Sequence, residues 1–592
     1  KEVGPSLWDR NKVLISYACI YNYHDKNSDK NQRNSSSMTG ILKKKKIAYF
    51  TMEIGLLSDI PTYAGGLGTL AGDTIKSSAD LNLPLVAVTL ISRRGYFRQE
   101  LDYEGGQIEH SMEWNPSDLL VRLQAEVRVQ IQNREVRVGA WQYSLQSPTG
   151  GEVPVLFLDT DLEGNSPDDR TITHHLYGGD ESYRLKQEII LGIGGVRILD
   201  ALGYEIRKYH LNEGQSGLLT LELLKRHAMD TEAVKELCVF TTHTPVKAGH
   251  DKFSYELVSD LLGDFIDADI LKRFGGADSL NMTHLALNLS NYVNGVAKRH
   301  KATSMEMFPG YEIHSITNGV HSFTWTCPCL QKIFDKYMPG WANEPEMLLR
   351  VNNSPDSEIW KAHMGAKRNL IDYVNKETNV NMDYETLTLG FARRATEYKR
   401  TAFIFTDLER LVRANRKGRI QVVLAGKAHP RDQRGKKVIK KVFEIKNVLK
   451  DDIKIAYLQN YDMNLAAKMV SGVDVWLNTP LPPQEASGTS GMKAAHNGVI
   501  NFSVLDGWWI EGWIEGVTGW SIGPEPGENV PYEEARKREL EDFYGKLEHV
   551  IIPMFYHRRD DWIKMMNNSI GMVASFFNSH RMMRRYVTEA YL

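Results

Sequence analysis

Cysteine is scarce in this sequence. Four in 592 residues, Cys19, Cys238, Cys327 and Cys329, are too scattered to frame a disulfide-stapled fold, which points to a reducing, cytoplasmic setting. Charge of one sign is missing too: 72 Lys and Arg nearly cancel 74 Asp and Glu, which argues against a nucleic-acid-binding surface. No apolar run reaches the roughly 20 residues of a membrane-spanning helix, and the longest, residues 83–91, reads as a buried strand. No G-x-x-x-x-G-K-[ST] segment occurs, which disfavours a P-loop nucleotide site. Cys327-Pro-Cys329 has no second pair to complete a structural zinc site, so no metal is expected. Residues 13–21 imitate a signal-peptide core, but Asn, His, Asp and Lys follow where small cleavage-site residues belong. The first residue is not Met, so the natural start is expected to differ.

What is present is a long alternation of apolar strands and helical patterns. Residues 1–46 stand apart: rich in Asn, Lys, Ser and Asp from residue 22, they read as a partly flexible segment containing a loop. Strand-like runs then begin near residues 47, 84, 153, 208, 238 and 313, and a second series begins near residues 387, 419, 452, 473 and 499. Continuous apolar strands separated by helices imply parallel sheets covered on both faces. The expected architecture is α/β, with two doubly wound, Rossmann-like domains at 47–317 and 318–592. Ligands of such sheets bind beyond the carboxyl ends of the strands, which puts the expected active site in the cleft between the domains.

Three segments carry candidate chemistry. Gly65-Gly66-Leu67-Gly68 lies between the first strand and a helix expected over residues 69–81, and it is either a tight turn or a loop whose amides meet an anion. Arg393, Arg394, Lys399 and Arg400 follow the strand that starts at Leu387; they are either a solvated patch or phosphate ligands. Glu485-Ala-Ser-Gly488-Thr489-Ser490-Gly491-Met-Lys493 is either a capped helix start with a surface lysine or an anion-receiving loop that leads into a helix bearing Lys493. Gly192, Gly194 and Gly195 sit in an apolar helical pattern and read as close helix packing.

Together these segments resemble the α-glucan phosphorylase family, whose architecture is of the GT-B glycosyltransferase type. EASGTSGMK is similar to that family's pyridoxal-phosphate loop, which implies Lys493 as the Schiff-base residue with Gly488, Thr489 and Ser490 around the cofactor. GFARRATEYKR implies Arg394 and Lys399 as catalytic ligands of the substrate phosphate and Arg393 beside the cofactor phosphate. YAGGLGTLAGD implies Gly65 and Gly66 facing the cofactor, with Gly68 on the substrate side. THTPVKAGHD implies that His243 meets the transferred glucosyl unit, SITNGVH implies Asn318 as a sugar ligand, and NYDMNLA implies Tyr461 near the cofactor. Glu485 and Glu213 are implied on the sugar side. The resemblance spans residues 46–592 and implies retaining, reversible phosphorolysis of an α-1,4-glucan or maltooligosaccharide by inorganic phosphate to α-glucose 1-phosphate. It also implies a homo-oligomer, a dimer.

Two positions depart from the family pattern. Gln215 stands where the family has His in His210-Leu-Asn-Glu213-Gly-Gln215, and Gln cannot carry a proton charge. His496 stands where an apolar residue is expected and reads as a packing residue. The chain is shorter than the regulated animal enzymes and shows no counterpart to their phosphorylation segment, so no control of that kind is expected. Rival readings are a nucleotide-sugar glucan synthase, a glucan-binding protein without turnover, and an aminotransferase-like enzyme. Lys493 in its Gly-Ser-Thr loop speaks against the first, and the phosphate-cation cluster against the last.

Overall fold

A computed structural model describes residues 45–528 and 530–592. The loop expected over residues 22–46 lies outside the described residues as far as residue 44, and Lys46 already begins the first strand.

The chain builds two large sheets, both rich in parallel pairing. Across the first the order is His314–Ser315, Tyr292–Gly295, Cys238–Thr241, Ile206–Asn212, Lys46–Thr51, Leu85–Leu90, Glu152–Asp159, Arg134–Gln146 and Val121–Ile131. Strands from His314–Ser315 to Glu152–Asp159 run parallel. All six residues of Leu85–Leu90 are buried, as expected for a strand covered on both faces. The last two strands form an antiparallel edge that strand spotting from apolar runs misses. Val121–Ile131 alternates apolar and polar side chains because one of its faces is wet.

The second sheet is wholly parallel. Its order is Lys454–Leu458, Ile420–Ala425, Leu387–Ala392, Val475–Asn478, Ile500–Val504 and Gly519–Ile522. Helix Asp356–Thr378 covers one face together with Met463–Gly472, while Leu411, Ile439, Val442 and Trp562 fill the core on the other.

The path between the halves crosses twice, side by side. Val320 and Asn578 form a parallel bridge, with Val320 N–H donating to Phe577 O at 3.2 Å and Ser579 N–H to Val320 O at 2.9 Å. A Cβ on Gly319 would stand 2.1 Å from Asn578 O, so only glycine lets the two crossings lie this close. Residues 579–592, which the boundary at 317–318 would give to the second half, pack on the first sheet instead. Met582, Met583, Tyr586 and Tyr591 share a core with Ile47, Tyr49, Leu85 and Ala87. The reason is composition: helix Ser579–Tyr586 turns its Met and Tyr side chains inward and needs an apolar face, and helix Gly66–Asp80 leaves one beside it.

Gly66 and Gly68 lie inside the first turn of that helix, which starts earlier than the expected residue 69. Gly192, Gly194 and Gly195 pass through a continuous helical stretch with a π turn over Ile190–Gly194, and a Cβ on Gly192 would stand 2.6 Å from Leu219 N. This is the expected close packing.

Candidate active site

The cations come from the end of Leu387–Ala392, and they divide into three roles. Arg393 and Lys399 converge on Glu485: its Oε2 accepts from Lys399 Nζ at 2.6 Å and pairs with the Arg393 guanidinium at 2.6 Å. Arg393 also donates to Asn478 Oδ1 at the end of the neighbouring strand. Burial would raise the Glu485 carboxyl, but Arg393 and Lys399 outweigh it and hold the group down at about 2. Arg400 turns away, donating to Thr479 O and Pro480 O and pairing with Glu539.

Arg394 has no hydrogen-bonded partner among the described residues, and solvent reaches it. It nevertheless lies among protein groups. Desolvation would lower its pKa, but the acidic groups around it, the phenols of Tyr398, Tyr96 and Tyr177 and the carboxylate of Glu53, outweigh that and raise it. Glu53 and Tyr177 belong to the first half, so Arg394 faces the glycine loop across the seam.

That loop holds an anion of its own. Glu53 Oε2 accepts from the amides of Ala64 at 2.6 Å and Gly65 at 3.2 Å, and Oε1 accepts from Tyr177 OH at 3.0 Å. A Cβ on Gly68 would stand 2.6 Å from Glu53 Oε2, whereas one on Gly65 or Gly66 would meet nothing within 4 Å. The loop therefore has amides that receive a carboxylate and open space beside its first two glycines.

Lys493 lies in the short helix Ser490–Ala495, as expected, just past the loop in which Gly488 takes φ +78°. Thr489 precedes the helix, and Ser490 Oγ accepts from Trp476 Nε1 at 3.0 Å. The Lys493 amine is buried and lies 3.7 Å from the centre of the Trp325 ring. Burial lowers it to about 8, against the pull of Asp73 and with the help of Lys76. Asp506, which sequence reading missed, accepts from the Glu485 amide at 2.9 Å; burial chiefly, with the Glu485 charge adding, raises it to about 7. Tyr461 is enclosed close to Arg393, and burial raises its phenol.

Of the residues assigned to sugar, Glu485 sits in the second half with the cations, and His243, Glu213 and Asn318 sit in the first. His243 pairs through Nε2 with Asn212 Oδ1 at 2.7 Å, and burial lowers its imidazole to about 3, so it is neutral near pH 7. Glu213 lies behind it, accepting from His243 N at 2.7 Å, Thr244 Oγ1 at 2.9 Å and Gly214 N at 3.0 Å. Its carboxylate holds the backbone of the His243 loop. Asn318, His243, Asn212 and Thr74 line one small cavity, and the buried Asn318 Oδ1 has no hydrogen-bond partner there.

Gln215 is buried and donates to Asp251 at 3.4 Å, while its Oε1 has no partner. Asp251 pairs with Arg184 at 3.0 Å, Arg184 lies 4.8 Å over the Tyr177 ring, and Tyr177 holds Glu53. The departure at Gln215 is thus joined side chain by side chain to the glycine loop. His496 is fully buried between Ser322 Oγ at 2.9 Å and Met492 O at 2.8 Å, a packed and satisfied residue.

Lys427, Asp73 and Trp325 also border the site, though sequence reading passed over them. Lys427 follows the strand Ile420–Ala425 and donates to Phe97 O of the first half at 2.9 Å, and its place at a strand end was the available signal. Among the described residues no group of three or more His, Cys, Asp or Glu could hold a metal ion, and no helix is long and apolar enough to cross a membrane.

The described geometry thus joins cations at the end of one parallel sheet to a glycine loop of the first half whose amides receive a carboxylate, and a small cavity in that half is lined by Asn212, His243 and Asn318. The carbohydrate phosphorylase family model matches residues 269–516. The maltodextrin phosphorylase of Thermococcus litoralis is 40% identical over 92% of this chain and 70% of its own length. The glycogen phosphorylase of Aquifex aeolicus is 34% identical over 93% of this chain and 86% of its own, and that of Mycobacterium tuberculosis 36% identical over 92% and 70%. The chain belongs to the carbohydrate phosphorylase family.

Proposed function

We propose that the protein is an α-1,4-glucan phosphorylase that removes the non-reducing-end glucose with inorganic phosphate and releases α-glucose 1-phosphate. The observation that carries this reading is the meeting of Arg393, Arg394 and Lys399 with the Lys493 loop on one side of the seam and the glycine loop on the other. The reading includes two Rossmann-like domains of the GT-B kind, divided near residue 317, with catalysis in the cleft between them.

The residues fit pyridoxal phosphate. A buried amine lowered to about 8 suits attachment to an aldehyde, and the open space beside Gly65 and Gly66 suits its phosphate, with Arg393 as the cation that would pair with it. Lys493 would hold the cofactor, with Tyr461, Gly488, Thr489 and Ser490 around it. Bound there, the cofactor would supply a phosphoryl group able to exchange a proton with the substrate phosphate.

The rest is done by the protein. Lys399 and Arg394 hold the substrate phosphate and cancel part of the repulsion between two facing phosphates, an effect that grows as the cleft excludes water. Lys399 must first turn from Glu485, whose carboxylate, still paired with Arg393, can then accept from sugar hydroxyls. Neutral His243 can donate or accept at the glucosyl unit without adding charge, and Asn318 offers its unpaired Oδ1. A cytoplasmic, homodimeric enzyme fits the family and the free thiols of Cys238, Cys327 and Cys329.

The test is glucose 1-phosphate formation from maltooligosaccharides of graded length plus phosphate, with and without added pyridoxal phosphate. Failure to form it from any length, in protein that carries the cofactor, would sink the proposal.

A further inference from the structure

Lys493 is gripped from its far side by groups that take no part in holding phosphate. Trp325, buried in the linker between the halves, lies under the amine with its ring centre 3.7 Å from Nζ. The single indole N–H is shared by both oxygens of Asp73, at 2.9 and 2.8 Å, so the carboxylate fixes how the ring can turn. Asn497 Nδ2 ties the two backbones together, donating to Trp325 O at 2.7 Å and Lys493 O at 2.9 Å. Ring, lysine and carboxylate are thus tied into one network of contacts.

We propose that Asp73 is a positioning residue for Lys493, acting both through the indole of Trp325 and by its own negative charge beside the amine. The proposal rests on the reading of Lys493 as the cofactor anchor. An amine must lose its proton to attack an aldehyde, and the groups facing Lys493 set that balance. Burial favours the free amine, as does Lys76, while Asp73 and the indole face favour the ammonium ion. The other titratable groups nearby are engaged elsewhere. Asp80 is bound to His321 at 2.7 Å and His580 at 3.2 Å, and His496 to Ser322.

Asp73 and Lys76 both lie on helix Gly66–Asp80, whose first turn carries the glycine loop. One helix therefore presents the anion-receiving amides at its start and sets the lysine's charge two to three turns later. Movement of the loop on ligand binding would be felt at Lys493 through the rigid helix.

The experiment is competitive acetylation of Lys493 with acetic anhydride between pH 6 and 10, on the full chain freed of cofactor, with the peptide quantified by mass spectrometry. The native midpoint is expected at about 8. Asp73→Asn keeps an acceptor for the indole but removes the charge, so the midpoint should fall, and a fall of half a pH unit would make labelling at pH 7 about threefold faster. Asp73→Glu should restore the native midpoint, which a purely structural role would not require. If Asp73→Asn folds and its midpoint is unchanged, the proposal is overturned. If it does not fold, Trp325→Phe keeps a ring under the amine but releases it from Asp73, and an unchanged Lys493 reactivity there overturns the proposal equally. Labelling needs no cofactor, so a shifted midpoint in a protein that never takes up pyridoxal phosphate would sink the cofactor reading and leave this one standing.

Discussion

Replacing Glu485 with Gln removes the one negative charge that Arg393 and Lys399 share inside the cleft. The carboxylate is buried, meets each cation at 2.6 Å, and is held at about 2 against its ordinary 4.5. A fall of about 2.5 in pKa, at about 1.4 kcal/mol for each unit, puts its contribution to folding at about 3 kcal/mol. Because the folded value is depressed, that stability is complete above pH 4.5 and is lost as the pH falls through about 2. At pH 7 the Gln variant should therefore melt below the native protein. The two cations, left without a counter-charge, should then bind inorganic phosphate more tightly, and ligand at 100 times its Kd restores about 2.7 kcal/mol. The assay is thermal denaturation followed by tryptophan fluorescence in buffers with phosphate from zero to saturation, with sulfate-free controls of equal ionic strength. The melting gap should narrow as phosphate rises. A gap that is absent in phosphate-free buffer, or that stays constant across the titration, refutes the claim that Glu485 and phosphate compete for the same cations.

Lys399→Ala should keep its cofactor, read by absorbance after denaturation, and lose about 100- to 1,000-fold in kcat, by comparison with the removal of one oxyanion donor. Lys493→Ala should lose bound pyridoxal phosphate together with turnover; retention of both would refute the assignment of the anchor. Asp506 is raised to about 7 in the fold from 3.8, so native stability should fall as pH rises between those values, and the buried charge should persist as a penalty above them. Asp506→Asn should flatten that pH dependence, whatever its effect at one pH, and denaturant melts at pH 5 and pH 8 would show it.

The legible parts of the sequence were those in which one local pattern has one physical cause. Strands buried on both faces, such as Leu85–Leu90, leave an unbroken apolar run, and the loop around Lys493 leaves a small-residue signature ahead of a short helix. The antiparallel edge at Val121–Ile131 was missed because its wet face breaks the run. In the site, the cations Arg393 and Lys399 were legible from their place at a strand end, but their partner was not: Glu485 lies 86 residues beyond Lys399 and meets it only after the sheet forms. Asp73 and Trp325 were invisible for the same reason, being 252 residues apart and joined by one indole N–H. Tertiary contact, not local propensity, decides such pairs.

The return of the chain after Val320 and Asn578 meet has a consequence for biosynthesis. Met582, Met583, Tyr586 and Tyr591 complete the core beside Ile47 and Tyr49, more than 500 residues upstream in the order of translation. A nascent chain emerging amino end first therefore leaves one apolar wall of its first sheet open until residues 579–592 have left the ribosome. The first sheet therefore cannot finish its core as a separate unit during synthesis, and exposed apolar surface of that kind is where nascent chains aggregate.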